Sequence, residues 1–269
     1  MRVVLINNND ELFCWLKNNP TDVFVYDCLD SEVGFIRNIK RLVGRVITFE
    51  DLGEGSFYAD CVINALYEQP DERKHVFSGK DYACLRDEFI ISGHKMYSEK
   101  VRNVLVMFGG TDPLDMTSRL FSIAKEINKN ETKINFYFIL GAGYKGSDVD
   151  SYPEAKIHVV RNVDRVSDYM LNADLAVSSQ GRTTYELACI GVPTVVIAQN
   201  EREQLHDFAR MSNGFINLGL GQKVSDEDIK STIRWLINAS TVRKQMYELM
   251  LKNDLKKGID RVISIILGE

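Results

Sequence analysis

The sequence predicts an α/β protein built on parallel sheets with helices on both faces, divided into two domains. Three observations carry this. Short apolar, β-branched runs alternate with stretches of helical period along the whole chain. Glycine-bearing turns follow two of those runs, FGGTDP at 108–113 and SSQGRTT at 178–184, where strands would give way to helices. The 269 residues, 45% of them hydrophobic, can bury a sizeable core and are long enough for two domains, although length alone also allows one.

Taken in order, the run at 2–7 reads as a strand and 10–18 as a helix. Strands follow at 22–26, 45–49 and 61–64, with a helix at 31–43. The polar stretch SGHKMYSEK (92–100) then separates this part from a new sheet. The expected domains are therefore 1–98 and 99–269. The second opens with a strand at 101–108 and an amphipathic helix at 114–128, for which Thr111 or Asp112 is the cap and Pro113 suits the first turn. Strands at 134–140, 157–160, 175–178, 194–198 and 214–217 alternate with helices at 167–173, 183–190 and 203–212. Gly191-Val192-Pro193 stops the helix at 183–190. Helices at 226–239, 240–252 and 258–267 end the chain.

The most informative stretch is 177–203, VSSQGRTTYELACIGVPTVVIAQNERE. A buried strand ends in Ser178 and Ser179, and Gly181 lets backbone approach a ligand without a Cβ clash. The turn at Arg182, Thr183 and Thr184 then offers unpaired N–H groups and hydroxyls to an anion such as phosphate. Glu186, one helical turn on, is placed to accept hydrogen bonds from vicinal ribose hydroxyls. The next strand delivers Gln199, Asn200 and Glu201 to the same carboxyl-end crevice, where amides suit a sugar. In the other motif, Gly109 and Gly110 permit the same close backbone contact beside Thr111. The same residues also fit plain helix capping, but two such motifs at strand ends of one domain favour a nucleotide diphosphate.

Other chemistries are disfavoured. Gly141-Ala142-Gly143-Tyr144-Lys145-Gly146 fits the dinucleotide fingerprint by spacing, yet the polar, proline-containing segment after it lacks the helix that the fingerprint requires. There is no P-loop, no nucleophile elbow and no zinc-type cluster of His and Cys, so neither a cofactor nor a metal is expected. Five cysteines, several in apolar contexts, read as free thiols. A net charge of -5 with dispersed Lys and Arg argues against nucleic acid. No apolar run reaches the ~18–20 residues of a membrane span and no secretory pattern opens the chain, so no integral membrane segment and a cytoplasmic location are expected.

The segment SSQGRTTYELACIGVPTVVIAQN resembles the donor-site motif of GT-B-type nucleotide-sugar enzymes, and FGGTDP and YACLRDEF (82–89) resemble the UDP-sugar hydrolases of pseudaminic acid biosynthesis. The peptidoglycan N-acetylglucosaminyltransferase shares the first of these motifs. The resemblance implies a GT-B-like fold of two Rossmann-like parallel-sheet domains, with ligand in the cleft between them. It implies that Glu186 takes the ribose, that Gly181 to Thr184 take the diphosphate, and that Asn200 takes the sugar. It also implies that Asn162 and Val163, after the strand at 157–160, contact uracil through backbone groups. UDP or a UDP-sugar is thus the implied ligand.

This chain departs from the family at its start. The family opens with a strand, a Gly-x-Gly-His loop and a helix, the His serving as base; here MRVVLINNND leads almost directly into the strand before Asp27, so the first domain is expected to be shortened. Replacement bases by position are Asp27, Asp51 and His206, with Glu50 beside them, and each also fits a capping or surface role. Two functions follow. One is a UDP-amino-sugar hydrolase or glycosyltransferase in nonulosonic acid or surface polysaccharide synthesis. The other is a catalytically impaired nucleotide-sugar-binding domain that regulates or docks a fused or partner cytidylyltransferase.

Overall fold

The computed structural model describes residues 3–68, 73–130 and 134–269. Its contacts divide the chain into two units: residues 1–84 together with 257–269, and residues 85–256.

The first unit holds a four-stranded parallel sheet in chain order, β1 (Thr21–Asp27), β2 (Val43–Phe49), β3 (Cys61–Asn64) and β4 (Val76–Ser78). Successive side chains point to opposite faces. Val46 therefore packs with Leu16 of α1 (Asn9–Asn18) and with Phe35, Ile36 and Ile39 of α2 (Val33–Lys40). Its neighbour Ile47 joins Cys61 and Ile63 under Val262 of the C-terminal helix, Gly258–Leu267. The Arg45 guanidinium donates to the carbonyls of Ile265 and Ile266 at the end of that helix, at 3.2 and 3.1 Å, where a cation also complements the helix dipole. The last helix thus belongs with the first sheet and not with residues 99–256.

The strand expected at 2–7 does not form. Residues 3–7 have no regular structure and leave Val3 and Leu5 exposed, while Arg2 lies outside the described residues. The polar end of that run serves α1 instead: Asn8 accepts the Glu11 N–H at 2.9 Å and the Glu11 carboxylate accepts the Asn7 N–H at 2.9 Å. This is a reciprocal capping arrangement.

The second unit holds six parallel strands: β5 (Asn103–Met107), β6 (Asn135–Leu140), β7 (Ile157–Arg161), β8 (Leu175–Ser178), β9 (Thr194–Ala198) and β10 (Phe215–Leu220), in the spatial order β10-β9-β8-β5-β6-β7. The short α3 (Asp87–Ile91) precedes them, and α4 (Met116–Asn130), α5 (Val166–Asn172) and α6 (Thr183–Ile190) connect them in turn. β8 and β9 are buried along their whole length, as continuous apolar runs of a sheet covered on both faces should be. α7 (Asp226–Asn238) closes one face, with Ile229, Ile233 and Leu236 packing beside Leu120 and Ile127 of α4 against Val106, Phe138, Val177 and Ile197. α8 (Ser240–Leu251) follows it.

Residues 85–98, expected with the first domain, pack in the second unit. Phe89 is fully buried, the Lys95 N–H donates to Ile190 O at 2.9 Å, and the buried Lys95 ammonium donates to Ala173 O. The helix expected at 203–212 is replaced by two 3₁₀ turns, Glu203–Leu205 and Met211–Asn213. Side-chain amides displace the helical pattern there, Gln180 donating to the His206 carbonyl at 2.6 Å and Asn213 to that of Phe208 at 2.9 Å.

Candidate functional site

Strand order locates the site. The chain runs outward from β5 through β6 and β7, then returns to place β8 on the other side of β5, so the β5/β8 pair is the switch point of the sheet. Ligands of open α/β sheets bind outside the carboxyl ends of strands at such a point. Met107 and Ser178 are paired at the ends of these two strands, and the two glycine turns therefore leave the sheet side by side. The buried Ser179 lies between them: its Oγ is 3.9 Å from where a Cβ would stand on either Gly109 or Gly181.

After β5, Gly109 adopts φ +73°, a left-handed conformation that turns the loop, and Gly110 and Thr111 are exposed. Asp112, buried, accepts the N–H groups of Met116 and Thr117 at 3.0 and 2.8 Å and so caps α4 two residues later than expected. The fingerprint-like Gly141–Gly146 segment opens no helix among the described residues but buttresses this loop. The Gly143 N–H donates to Gly110 O at 3.0 Å, and a Cβ on Gly141 would stand 2.5 Å from Gly109 O. Asp115 locks the two loops together by accepting from Tyr144 Oη at 2.6 Å, Ser147 N at 3.0 Å and Ser147 Oγ at 2.6 Å. Burial opposes ionisation of Asp115, yet the hydrogen bonds from Ser147, Tyr144 and Ser118 hold its carboxyl well below the usual carboxylate range.

After β8, the Thr184 hydroxyl donates to Gly181 O at 2.8 Å and is spent on shaping the turn. Thr183 begins α6, and the exposed Arg182 stands before it. Among the described residues no hydrogen bond engages the backbone N–H of Gly109, Gly110, Thr111, Gly181 or Thr183. Two neighbouring turns thus present donors, one set of them at a helix N-terminus, a ready seat for an anion.

Glu186 lies one turn into α6 with 14% of its side chain exposed. Its Oε1 accepts from Arg86 Nε at 3.0 Å. Burial pushes its carboxyl above the ordinary glutamate range, Arg86 opposing that rise and Glu88 adding to it. Arg86 was not among the expected site residues. It sits in YACLRDEF with no periodic or spacing signal, and only folding brings it 100 residues along the chain to α6.

At the end of β9, Gln199 is tied inward, its amide donating to Phe108 O at 2.9 Å and accepting from Leu114 N at 3.5 Å. It positions the glycine loop rather than offering its amide to the crevice. The Asn200 amide oxygen accepts the Glu203 N–H at 2.9 Å, and the Glu203 carboxylate accepts the N–H groups of Gln199 and Gln180 at 2.8 and 3.3 Å, joining the ends of β8 and β9. His206 Nδ1 donates to Gln180 O at 2.5 Å, which makes Nε2 the basic nitrogen of the neutral ring. Burial pulls its pKa below the ordinary value, the Gln180 bond opposing.

Asn162, at φ +54°, and Val163 follow β7, two strands from β5 and so roughly 10 Å along the sheet from the glycine turns. Asp27 and Asp51 lie in the first unit. Asp27 is exposed at the end of β1. Asp51 is fully buried and its carboxylate accepts Ser31 N at 2.9 Å, Ser31 Oγ at 2.5 Å and Gly53 N at 2.9 Å, a loop-bracing role that gives it no exposed oxygen for a base. Among the described residues no cluster of His, Cys, Asp or Glu is placed to hold a metal ion, and no helix is long and apolar enough to cross a membrane.

The glycosyltransferase family 28 C-terminal domain matches residues 104–262, which span the crevice and every strand of the second sheet. The chain belongs to that family. In sequence it is similar to the Bacillus subtilis spore coat polysaccharide biosynthesis protein SpsG, 26% identical over 93% of this chain and 78% of that protein. It is also similar to the uncharacterized Methanocaldococcus jannaschii protein MJ1062, 29% identical over 78% of this chain but only 47% of that protein, so the chain spans about half the length of this relative. Among solved structures, Acinetobacter baumannii MurG aligns with a TM-score of 0.67 at 13% identity over 97% of this chain and 79% of that one. The spinosyn rhamnosyltransferase SpnG, complexed with thymidine diphosphate, aligns at 0.60 and 10% identity over 95% and 76%. Identities this low speak for the fold alone, the GT-B arrangement of two parallel-sheet α/β domains expected from the sequence.

Proposed function

We propose that the second unit binds the nucleoside diphosphate of a UDP-sugar at the β5/β8 switch point, and that the protein acts on a UDP-amino sugar in surface polysaccharide or nonulosonic acid synthesis. The observation that carries this is the pairing of two donor turns, Gly109–Thr111 and Gly181–Thr183, with a part-buried carboxylate, Glu186, one helical turn away. The turns suit the diphosphate through N–H groups and the α6 dipole, which would also stabilise UDP as it departs. Glu186 suits the ribose diol, and Asn162-Val163, two strands along, the base. Membership of the glycosyltransferase family and the place of the SpsG relative in spore coat polysaccharide biosynthesis support this reading. Transfer and hydrolysis differ in whether a sugar hydroxyl or water attacks the anomeric carbon, and the YACLRDEF and FGGTDP motifs favour water.

One observation favours a second reading, binding without turnover as an element that regulates or docks a cytidylyltransferase. Of the expected bases, Asp51 is consumed by Ser31 and Gly53.

Calorimetric titration of UDP tests the shared part. Wild type should bind, and Glu186→Ala should lose about 1.5–3 kcal/mol, the worth of a charge-assisted contact. Absence of binding to wild type would refute both readings. Release of UDP and free sugar from a UDP-amino sugar incubated without acceptor requires hydrolysis and would rule out the second reading.

A further inference from the structure

We propose that Arg86 is a positioning residue for Glu186, holding its carboxylate in place so that it accepts the vicinal hydroxyls of a ribonucleotide. This rests on the nucleotide reading above.

The geometry is a fixed relay. The N–H of Ser167, at the start of α5, donates to Glu88 Oε2 at 2.9 Å. Arg86 Nη1 pairs with Glu88 Oε1 at 2.9 Å, and Arg86 Nε with Glu186 Oε1 at 3.0 Å. The guanidinium also lies 5.0 Å over the ring of Phe89, which is fully buried. Arg86 is thereby oriented from two sides before any ligand arrives, and preorganised hydrogen bonds of this kind set the aim of the group they hold. A carboxylate has about four acceptor directions, of which the Nε–H takes one on Oε1, so Oε2 keeps its capacity for a diol.

The charge arrangement gives the relay its purpose. Glu186 is drawn from water into an apolar turn of α6, and Glu88 from α3 adds a like charge; among the charged groups of the described residues that face it, Arg86 alone favours the ionised form, while Cys189 on α6 is a neutral thiol. Without Arg86 the carboxyl would hold its proton to higher pH, and a protonated carboxyl offers fewer acceptor sites to two hydroxyl donors. Glu88 is the second member of the device, since it anchors Arg86 without touching Glu186 in the hydrogen-bond network. A site so tuned should separate UDP from its 2′-deoxy counterpart.

The test is UDP affinity by calorimetry from pH 5.5 to 8.5 for wild type, Arg86→Met, Arg86→Lys and Glu88→Gln. The ratio of variant to wild-type Kd cancels the ionisation of UDP itself. For Arg86→Met the ratio should grow as pH falls, by about tenfold for each unit by which the carboxyl pKa rises. Arg86→Lys should restore a flat ratio through its charge while binding more weakly than wild type, and Glu88→Gln should show a smaller weakening. Arg86→Met should also narrow the preference for UDP over dUDP, and combined with Glu186→Gln it should lose no more affinity than Glu186→Gln alone. A ratio that is the same at every pH, or full additivity in the double variant, would overturn the positioning role while leaving nucleotide binding intact. Wild type that fails to bind UDP at any pH would overturn the underlying reading and this one with it.

Discussion

Replacing Gly110 by alanine should separate binding from folding. A Cβ built on Gly110 meets no atom within 4 Å, and its φ lies outside the left-handed region, in contrast to Gly109 at +73°. Nothing in the fold resists the methyl group. A Gly→Ala change at a permissive position stabilises by about 0.4–1 kcal/mol through the unfolded chain, so the melting temperature should hold or rise slightly. The open space is, on the present reading, where phosphate oxygens approach the N–H groups of 109–111. A methyl there holds the ligand off by more than a hydrogen bond can stretch. Losing one N–H to a charged oxygen costs about 1.5–3 kcal/mol, which is roughly a 10- to 150-fold rise in Kd. Calorimetry with UDP and a thermal melt on the same preparation read the two quantities separately. A Kd within about twofold of wild type, with the melt unchanged, would place the diphosphate elsewhere and refute the glycine-loop argument.

Gly141→Ala should behave oppositely, because its Cβ would lie 2.5–2.6 Å from backbone atoms of Gly109 and Gly110; overpacking of about 1–3 kcal/mol should lower the melt and weaken UDP binding together. Asp115, whose folded pKa is depressed, stabilises the protein fully above the ordinary aspartate value of about 4 and loses that contribution as pH falls through its folded pKa. Asp115→Asn should therefore flatten the acid limb of a stability-against-pH profile, and an unchanged limb would contradict the loop-locking role. Asp51→Asn should cost about 1–3 kcal/mol of stability by weakening the bonds from Ser31 and Gly53. Turnover per folded molecule should not change with it, so a selective loss of turnover would restore Asp51 as a base.

The buried parts of the second unit were legible because they leave a strong trace. Apolar runs such as 175–178 and 194–198 have no reading but buried strands, and the structure forms them with those bounds. The helix at 183–190 was equally plain, bounded by Gly181 and by Gly191-Val192-Pro193. Elements fixed by distant partners were not legible. The C-terminal helix has the same period whether it packs on Ile47 and Ile63 or on the second sheet, and Arg45 decides the matter from 220 residues away. The stretch 203–212 has helical residues, but Gln180 and Asn213 take its carbonyls. β4 and α3, at three and five residues, were too short to show a period. At the candidate site, the backbone N–H groups without a hydrogen bond among the described residues fall on glycine and threonine at strand ends. Side-chain roles could not be read from the sequence: Gln199 and Glu203, polar residues at the crevice, prove to be internal ties.

That division has a physical reason that bears on how the site handles charge. A chain of net charge -5 that seats a diphosphate beside Glu186, as proposed, would face repulsion between ligand and carboxylate. A lysine at the phosphates would offset it, but as a strongly hydrated point charge on a flexible stem it would need its own ordering. The proposed site would divide the task instead. Backbone dipoles at two turns would face the anion, at no cost in side-chain entropy, and the first of these turns is braced by Asp112, Asp115 and Gln199 from behind. The single guanidinium at Glu186 is kept on the carboxylate by Glu88. Backbone donors follow from loop shape, which glycine announces in sequence; the counter-charge follows from tertiary placement, which nothing local announces. The residues hardest to find in the sequence are therefore the ones that, on the proposed function, would let a carboxylate and a diphosphate share one helix terminus.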